Sequence, residues 1–327
     1  MASDAAWLSA AIALSQRGHG LTSPNPNVGC IILEAAGRVA GRGWTQPGGR
    51  PHAEALALDA AQDAARGGTA YVSLEPCAHE SVRGPCCTQL LAEAGVSRVV
   101  IAITDPDPRT HGAGIERLRQ AGLKVDVLAG ELGHAAREAM AGFFSRQERR
   151  RPHVTLKLAT SLDGCIALAD GTSQWITGAA ARAHAHLQRA RHELILVGRG
   201  TLAHDRPTLD VRVPGLEARS PVRVVLSGSG AAPEGWLSIS TPAEIAGLPG
   251  DHLLIEGGAQ TAAAFLAEDL VDNLMIYRAP VLIGGGKASL ADFGLLDLAD
   301  AHGRWRLTDA RTFEPDRLEV YARIRVE

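Results

Sequence analysis

Two short segments carry side chains whose types and spacing could bind a metal ion. In PHAE, residues 51–54, His52 and Glu54 lie two positions apart at the predicted start of a helix. In SLEPCAHESVRGPCC, residues 73–87, Cys77 ends a predicted strand, and Cys86 begins a predicted helix nine positions later. One imidazole and two thiols are the three protein ligands of a catalytic zinc, which keeps its fourth position open. Glu54 is then placed to move protons.

Each segment alone also has an ordinary structural interpretation. A glutamate suits the first turn of any helix, and paired cysteines could be buried thiols or ligands of a structural zinc. Both segments together, in this order and at strand–helix junctions, favour catalysis. The order H-x-E, P-C, Cys is typical of zinc nucleobase deaminases, in which water activated by zinc attacks a ring carbon that bears an amine. The eight residues between Cys77 and Cys86 exceed the two of the common P-C-x-x-C form.

The elements that must position these residues alternate between strand-like and helix-like patterns. We predict a helix over 4–17, strands over 28–34 and 38–44, a helix over 52–66 and a strand over 69–75. This alternation indicates a layered α/β domain with a largely parallel sheet. A basic run before Pro152 places a boundary at about 148–152, which divides the chain into units 1–150 and 151–327.

The second unit repeats the alternation. Its last stretch, residues 304–326, reads as two antiparallel strands, whereas 228–250 reads as loop with at most one short helix near 242–247. His184, His186 and His192 lie in a charged helical region and are interpreted as surface residues.

Composition excludes several classes of function. A net charge of −3 argues against nucleic acid as a partner, and no apolar run is long enough to span a membrane. Five cysteines, an odd number, favour a cytoplasmic protein without a disulfide framework.

Several longer motifs resemble one family. They are SPNPNVGC (23–30), PHAE (51–54), LKLATSLDGCIALADGTSQWIT (156–177), GRGTLAHDRPTLDVR (198–212) and LIEGGAQTAAAFLAEDLVDNLMIYRAPVLIG (254–284). The chain is similar over most of its length to the bifunctional riboflavin-biosynthesis deaminase–reductases of bacteria. The resemblance implies an α/β fold, with an N-terminal cytidine-deaminase-like three-layer domain and a C-terminal dihydrofolate-reductase-like α/β domain. It implies zinc-dependent deamination of 2,5-diamino-6-(5-phosphoribosylamino)pyrimidin-4-one, followed by NADPH reduction of the ribosyl group to ribityl.

The resemblance also assigns roles to residues. The expected zinc ligands are His52, Cys77 and Cys86, with Glu54 as proton shuttle and Asn25 as a pyrimidine contact. The expected NADPH contacts are Ala159, Trp175, Thr201, Asp205 and Gly258. Further substrate contacts are expected at Ser173, Arg189, Leu209, Arg212 and Glu256. Asp205 could donate a proton or position the cofactor, and Lys157, inside an apolar strand, is a further candidate. The expected partners are a phosphorylated pyrimidine and further copies of the chain, which associate through the reductase domain.

The chain departs from the family pattern at two places. Between the cysteines the family has H-x-G-(R/K)-T-P-P-C, whereas Ser81 and Val82 stand here at the glycine and the basic residue, with Arg83 one position late. Ser227-Gly228 replaces the family's Asp-Ser. Two other hypotheses therefore stay open. One is a deaminase of another nucleobase with a degenerate reductase half, and the other is a non-catalytic, zinc-stabilised protein that binds a phosphopyrimidine.

Overall fold

The structure, a computed structural model, describes residues 2–79, 84–230 and 232–325. Contacts divide the chain into two compact units, Met1–Arg150 and Arg151–Glu327. Within the described residues, every helix is too short or too polar to cross a bilayer.

The first unit is built on a five-stranded sheet. Its strands are β1 (Gly29–Leu33), β2 (Val39–Trp44), β3 (Thr69–Val72), β4 (Arg98–Ile101) and β5 (Lys124–Val127), in the order β2-β1-β3-β4-β5. Its helices are α1 (Asp4–Ser15), α2 (Ala53–Ala61), α3 (Cys87–Glu93), α4 (Ala113–Gln120), α5 (Glu131–Ala139) and α6 (Ala141–Arg149). The sheet is mixed, because β1 pairs antiparallel with β2 and β3 while β3, β4 and β5 are parallel. The prediction of a largely parallel sheet holds only for that half.

Glycines in β1 and β2 let helices approach both faces of this sheet. A Cβ on Gly29 would lie 2.0 Å from the carbonyl oxygen of Ala11 in α1. A Cβ on Gly43 would lie 2.2 Å from the carbonyl oxygen of Ala53 in α2. Because Gly43 pairs with Cys30, the neighbour of Gly29, these two directions are on opposite faces. The unit therefore has three layers, with α1 and α2 on opposite sides of the sheet, as expected.

The predicted helix over 52–66 is shorter than expected. α2 ends at Ala61, where Gln62 takes a left-handed φ of 46°, and a 3-10 turn continues from Gln62 to Ala65. The start of α2 agrees with the prediction, because His52 is the N-cap of the helix and Glu54 lies in its first turn.

The second unit is built on an eight-stranded sheet in the order β10-β9-β8-β11-β6-β12-β15-β14. Its strands are β6 (His153–Thr160), β8 (Leu194–Gly198), β9 (Val222–Leu226), β10 (Leu237–Ile239), β11 (His252–Ile255), β12 (Asn273–Arg278), β14 (Trp305–Phe313) and β15 (Asp316–Arg323). A separate ribbon pairs β7 (Cys165–Ala167) with β13 (Lys287–Ala288), and the helices are α7 (Ala179–Arg189), α8 (Arg199–Asp205) and α9 (Ala259–Ala267). In the eight-stranded sheet, neighbouring strands from β10 through β12 pair in parallel, whereas β15 pairs antiparallel with both β12 and β14.

The end of the second unit agrees with the sequence prediction, since β14 and β15 form the expected antiparallel pair. The segment 228–250 holds the expected short helix, a 3-10 helix at Pro242–Gly247, but it also holds β10, which the sequence analysis missed. β10 has only three residues, too few for an alternating pattern to be visible.

The interpretation of His192 as a surface residue is wrong. His192 is only 7% exposed, and its Nδ1 lies 2.7 Å from the carbonyl oxygen of Gln188. Burial, with His252 nearby, lowers the pKa of His192 to about 3. The charged groups facing it are His153, His252 and Glu193. His184 is also partly buried, and its Nδ1 lies 2.7 Å from the hydroxyl of Tyr277.

His192 should make the second unit sensitive to acid. Its folded pKa lies below the ordinary value of about 6.5, so the neutral form favours folding above that pH, and the contribution is lost as pH falls from about 6.5. Thermal unfolding followed between pH 7.5 and 4.5 should show a falling melting temperature, and His192→Gln should flatten this dependence. An equally steep profile in the variant would contradict the assignment to His192.

Candidate functional sites

Three potential metal ligands meet in the first unit. His52 Nδ1 lies 3.3 Å from Cys87 Sγ and 3.6 Å from Cys77 Sγ. All three ligand atoms lie within 4.8 Å of one another. Bonds of about 2.0–2.3 Å to a tetrahedral zinc separate neighbouring ligand atoms by roughly 3.5 Å. The donor set and its spacing therefore fit a zinc ion with one position left for another ligand.

Cys87 lies in this cluster, whereas Cys86, the ligand expected from the sequence, lies one position before it and outside it. The start of α3 lies against Cys77. The Cys87 amide donates to Cys77 Sγ at 3.3 Å, and the Thr88 amide donates to the Cys77 carbonyl at 3.3 Å. This contact turns the side chain of Cys87 towards Cys77. The Cys86 thiol instead lies 3.3 Å from the Thr88 hydroxyl. Such a choice between adjacent residues depends on how the helix begins.

The two thiols of the cluster differ in acidity. A hydrogen bond from Cys87 lowers the pKa of Cys77 far below its usual value and raises the pKa of Cys87. Burial lowers the pKa of His52, but the hydrogen bond to Cys77 and the charge of Glu54 outweigh it, so the net shift is upwards. The surroundings of Cys77 thus favour its thiolate, which is the form of cysteine that binds zinc.

Glu54 lies beside the cluster without belonging to it. The residue is 3% exposed, and its carboxylate contacts the Cys87 thiol. Burial raises its pKa, because a charged carboxylate is poorly solvated there. A carboxyl group with a raised pKa binds a proton more readily than an ordinary carboxylate, which suits a group that accepts a proton and returns it.

A cavity of about 330 Å³ opens in front of these residues. Asn25, the expected pyrimidine contact, lines it, and its Nδ2 lies 3.1 Å from both His52 Nε2 and the Gly49 carbonyl. Asn25 therefore orients the His52 ring so that Nδ1 faces the thiols. The volume is in the range of small-molecule binding sites.

Three carboxylates in this cavity were missed by the sequence analysis. Glu75 follows β3, and Asp105 and Asp107 follow β4, its parallel neighbour, so all three reach the same edge of the sheet. Burial, with Asp107 and Glu75 nearby, raises the pKa of Asp105 to about 7. The motif TDPDP after an apolar strand was the signal that could have revealed the last two. The departures at Ser81, Val82 and Arg83 lie outside the described residues.

A second cavity, of about 260 Å³, lies in the second unit at the carboxyl edge of its parallel strands. Ligands of open α/β sheets bind at this edge. Lys157 and Ala159 come from β6, Thr201 follows β8, and Glu256 follows β11. Seven residues expected from the sequence line this cavity: Ala159, Ser173, Trp175, Thr201, Asp205, Glu256 and Gly258. Gly258 is the N-cap of α9, where free amides and the helix dipole favour a phosphate group.

Glu256 is held by two cations. Arg189 donates to it through Nε at 2.8 Å and Nη2 at 3.0 Å, and Lys157 Nζ lies 3.6 Å away. Burial alone would raise the pKa of Glu256, but these cations lower it to about 2. Lys157 also lies 5.9 Å above the ring of Tyr277, a contact that the sequence analysis did not anticipate.

Three expected substrate contacts lie outside the residues that line this cavity. Arg189 reaches it only through Glu256, and its Nη1 donates to the Asp210 carbonyl at 2.9 Å. Arg212 is exposed and bonds to the carboxylate of the same Asp210, at 3.1 Å. The Leu209 side chain is 3% exposed and packs against the core, with a left-handed φ of 55°. Any contact that Leu209 makes with a ligand would therefore have to come from its backbone.

The departure at Ser227-Gly228 lies at a different place from this cavity. Ser227 is buried, and its hydroxyl lies 3.0 Å from that of Ser229. Together with Arg199 and Leu202, Ser227 lines a separate pocket beside α8. The change thus leaves the residues of the main cavity untouched.

Comparisons with known proteins match both units. Residues 1–103 match the cytidine and deoxycytidylate deaminase zinc-binding region, and residues 152–241 and 243–318 match the RibD C-terminal domain. The riboflavin biosynthesis protein RibD of Escherichia coli is 35% identical, over 96% of this chain and 97% of the relative. The chain belongs to the RibD family.

Solved structures of RibD proteins share the fold of the whole chain. Acinetobacter baumannii RibD matches with a TM-score of 0.87 and 34% identity, covering 98% of this chain and 99% of that one. The Thermotoga maritima diaminohydroxyphosphoribosylaminopyrimidine deaminase/5-amino-6-(5-phosphoribosylamino)uracil reductase gives 0.87 and 28%, with the same coverage. The expected fold class and family are therefore confirmed.

Family membership settles the general activity. The chain is a bifunctional deaminase–reductase of riboflavin biosynthesis, with a zinc-dependent hydrolase and an NADPH-dependent oxidoreductase in one polypeptide. Zinc and NADPH are its cofactors, and the cluster of His52, Cys77 and Cys87 fits the metal. These findings favour the main hypothesis over both alternatives left open by the sequence.

The adjacent cysteines provide a direct test of the third ligand. Cys87→Ala should lose most bound zinc because it removes one of three protein ligands, whereas Cys86→Ala, the matched control, should keep about one ion per chain. Metal content of the purified variants, measured by mass spectrometry, distinguishes them. Loss of zinc in Cys86→Ala with retention in Cys87→Ala would return the ligand to the position first expected.

Proposed function

We propose that the first unit deaminates diaminohydroxyphosphoribosylaminopyrimidine and that the second reduces the resulting 5-amino-6-(5-phosphoribosylamino)uracil. These are the compounds named for the Thermotoga maritima relative. The observation that carries the proposal is the buried Glu54 carboxylate beside three converging ligands at the base of a cavity.

In the first unit, His52, Cys77 and Cys87 would hold the zinc ion. Bound zinc supplies the Lewis acidity that makes water nucleophilic at neutral pH. Glu54 takes a proton from the attacking water and delivers it to the departing amino group, and its raised pKa suits both transfers. Asn25 holds the His52 ring and offers its remaining hydrogen-bonding capacity to the pyrimidine.

In the second unit, the N-terminus of α9 and Gly258 would hold a phosphate group of NADPH, with Thr201 close by. NADPH supplies the reducing equivalents. Glu256 stays ionised between Lys157 and Arg189, so this network presents fixed charge to the ribosyl group. Asp205 lines the same cavity from the end of α8 and is exposed, which suits proton exchange with solvent.

A two-step assay tests the proposal. The purified protein with zinc and the diaminopyrimidine ribotide should release ammonia first, and NADPH should be consumed only after that release. Ammonia production and absorbance at 340 nm follow the two steps. Binding of the ribotide without ammonia release would support the non-catalytic alternative instead.

Glu54→Gln separates the two halves. The variant should retain zinc but release ammonia at least 100-fold more slowly, because its amide cannot carry the proton. When 5-amino-6-(5-phosphoribosylamino)uracil is supplied directly, NADPH consumption should match the wild type. Ammonia release at the wild-type rate would remove Glu54 from the mechanism.

We further propose that the protein forms homo-oligomers through the reductase unit and works in the cytoplasm. β14 lies at the end of the eight-stranded sheet, and its nine residues are mostly exposed, including Leu307 at 50%. Long open edges favour pairing with another chain. Free thiols at all five cysteines are in keeping with a reducing compartment.

Sedimentation velocity tests the association. The wild type should sediment as a dimer or larger species at micromolar concentration, and Leu307→Lys, which adds charge to the edge, should shift it towards monomer. Lys substitution of Val39, an exposed residue of β2 in the other unit, is the control and should change nothing. A monomeric wild type would contradict the proposal.

A further inference from the structure

We propose that Arg50 binds the phosphate group of the deaminase substrate. The inference rests on the proposed function of the first unit and adds a specificity-determining residue to it. It starts from the segment between the cysteines, where the resemblance described above leads us to expect a basic residue and Val82 stands instead.

Arg50 has the required position. It lines the same cavity as His52 and Glu54, two residues before the cluster histidine. A Cβ built on Gly84 would lie 3.0 Å from Arg50 Nη1, so the guanidinium lies against the end of the segment between the cysteines. Arg50 thus brings a positive charge from just before α2 to Gly84, which follows Val82 by two positions in the sequence.

Of the two arginines that line this cavity among the described residues, Arg50 is the one with unpaired donors. Arg109, the second arginine in the lining, donates through Nε to both Asp107 carboxylate oxygens at 3.0 Å, which neutralises it. Arg50 has no hydrogen-bond or ion-pair partner among residues 2–79, 84–230 and 232–325. Its donors are therefore available to a ligand.

Glu75 does not compete for Arg50. Its two carboxylate oxygens accept from four backbone amides, those of Asp105, Gly112, Gly114 and Ile115. The guanidinium fork matches two oxygens of a phosphate, which makes arginine suited to a phosphorylated ligand. A half-buried arginine with free donors at the wall of a cavity is consistent with an anion as its partner.

Steady-state deamination of two substrates tests the inference. With the phosphorylated ribosylaminopyrimidine, Arg50→Ala should raise KM about 10- to 100-fold and leave kcat nearly unchanged, the loss expected for one charged hydrogen-bonding group. With the dephosphorylated compound, wild type and variant should have equal kcat/KM. Arg50→Lys should recover part of the wild-type preference for the phosphorylated over the dephosphorylated substrate. Inorganic phosphate should inhibit the wild type competitively and Arg50→Ala more weakly.

A control variant and the zinc content of each protein test whether the effect is specific to Arg50. Arg42→Ala removes an exposed arginine of β2 and should behave as wild type, and zinc content should be unchanged in every variant. If Arg50→Ala discriminates between the two substrates as the wild type does, the inference is overturned. Loss of discrimination in Arg109→Ala or Arg83→Ala, with Arg50→Ala unaffected, would also overturn it. A wild type that releases no ammonia from either substrate would refute the proposed function instead.

Discussion

The close approach of α2 to the β1–β2 hairpin positions the metal cluster. A Cβ on Gly41 would lie 2.0 Å from the Ala57 carbonyl, and one on Gly43 would meet Ala53 at 2.2 Å. Larger residues at these two positions would push the helix outwards and carry its first turn with it. His52 and Glu54 are at that end of the helix, so their distance from Cys77 depends on β2 having glycine at these two positions.

Each unit has a buried carboxylate at its candidate site, but the two carboxylates lie in opposite electrostatic surroundings. Glu256 has Lys157 and Arg189 against it and remains charged. At Glu54 burial outweighs the charge of the neighbouring His52, so the pKa of Glu54 is raised. The first arrangement provides a stable negative charge, and the second provides a group that exchanges protons. One chain thus obtains two chemical roles from the same side chain by changing its surroundings.

Residue types and spacing were enough to predict His52, Cys77 and Glu54 as neighbours, because the two motifs follow recognisable strand–helix junctions. They could not distinguish Cys86 from Cys87, since that choice depends on hydrogen bonds from the first amides of α3 to Cys77. The parallel pairing of β3 with β4, which brings Asp105 beside Glu75, is likewise a long-range property. The mixed direction of the first sheet and the three-residue β10 left too weak a local pattern to be predicted.

The four amides gathered by Glu75 have a consequence for how the first cavity meets its ligand. They come from Asp105 in the loop after β4 and from the beginning of α4, so one carboxylate joins two separate stretches of backbone at the cavity. The four backbone N–H dipoles stabilise the negative charge of the Glu75 carboxylate without a cationic side chain. These hydrogen bonds hold this part of the cavity wall in the ligand-free protein, so less backbone ordering is required when a molecule binds there.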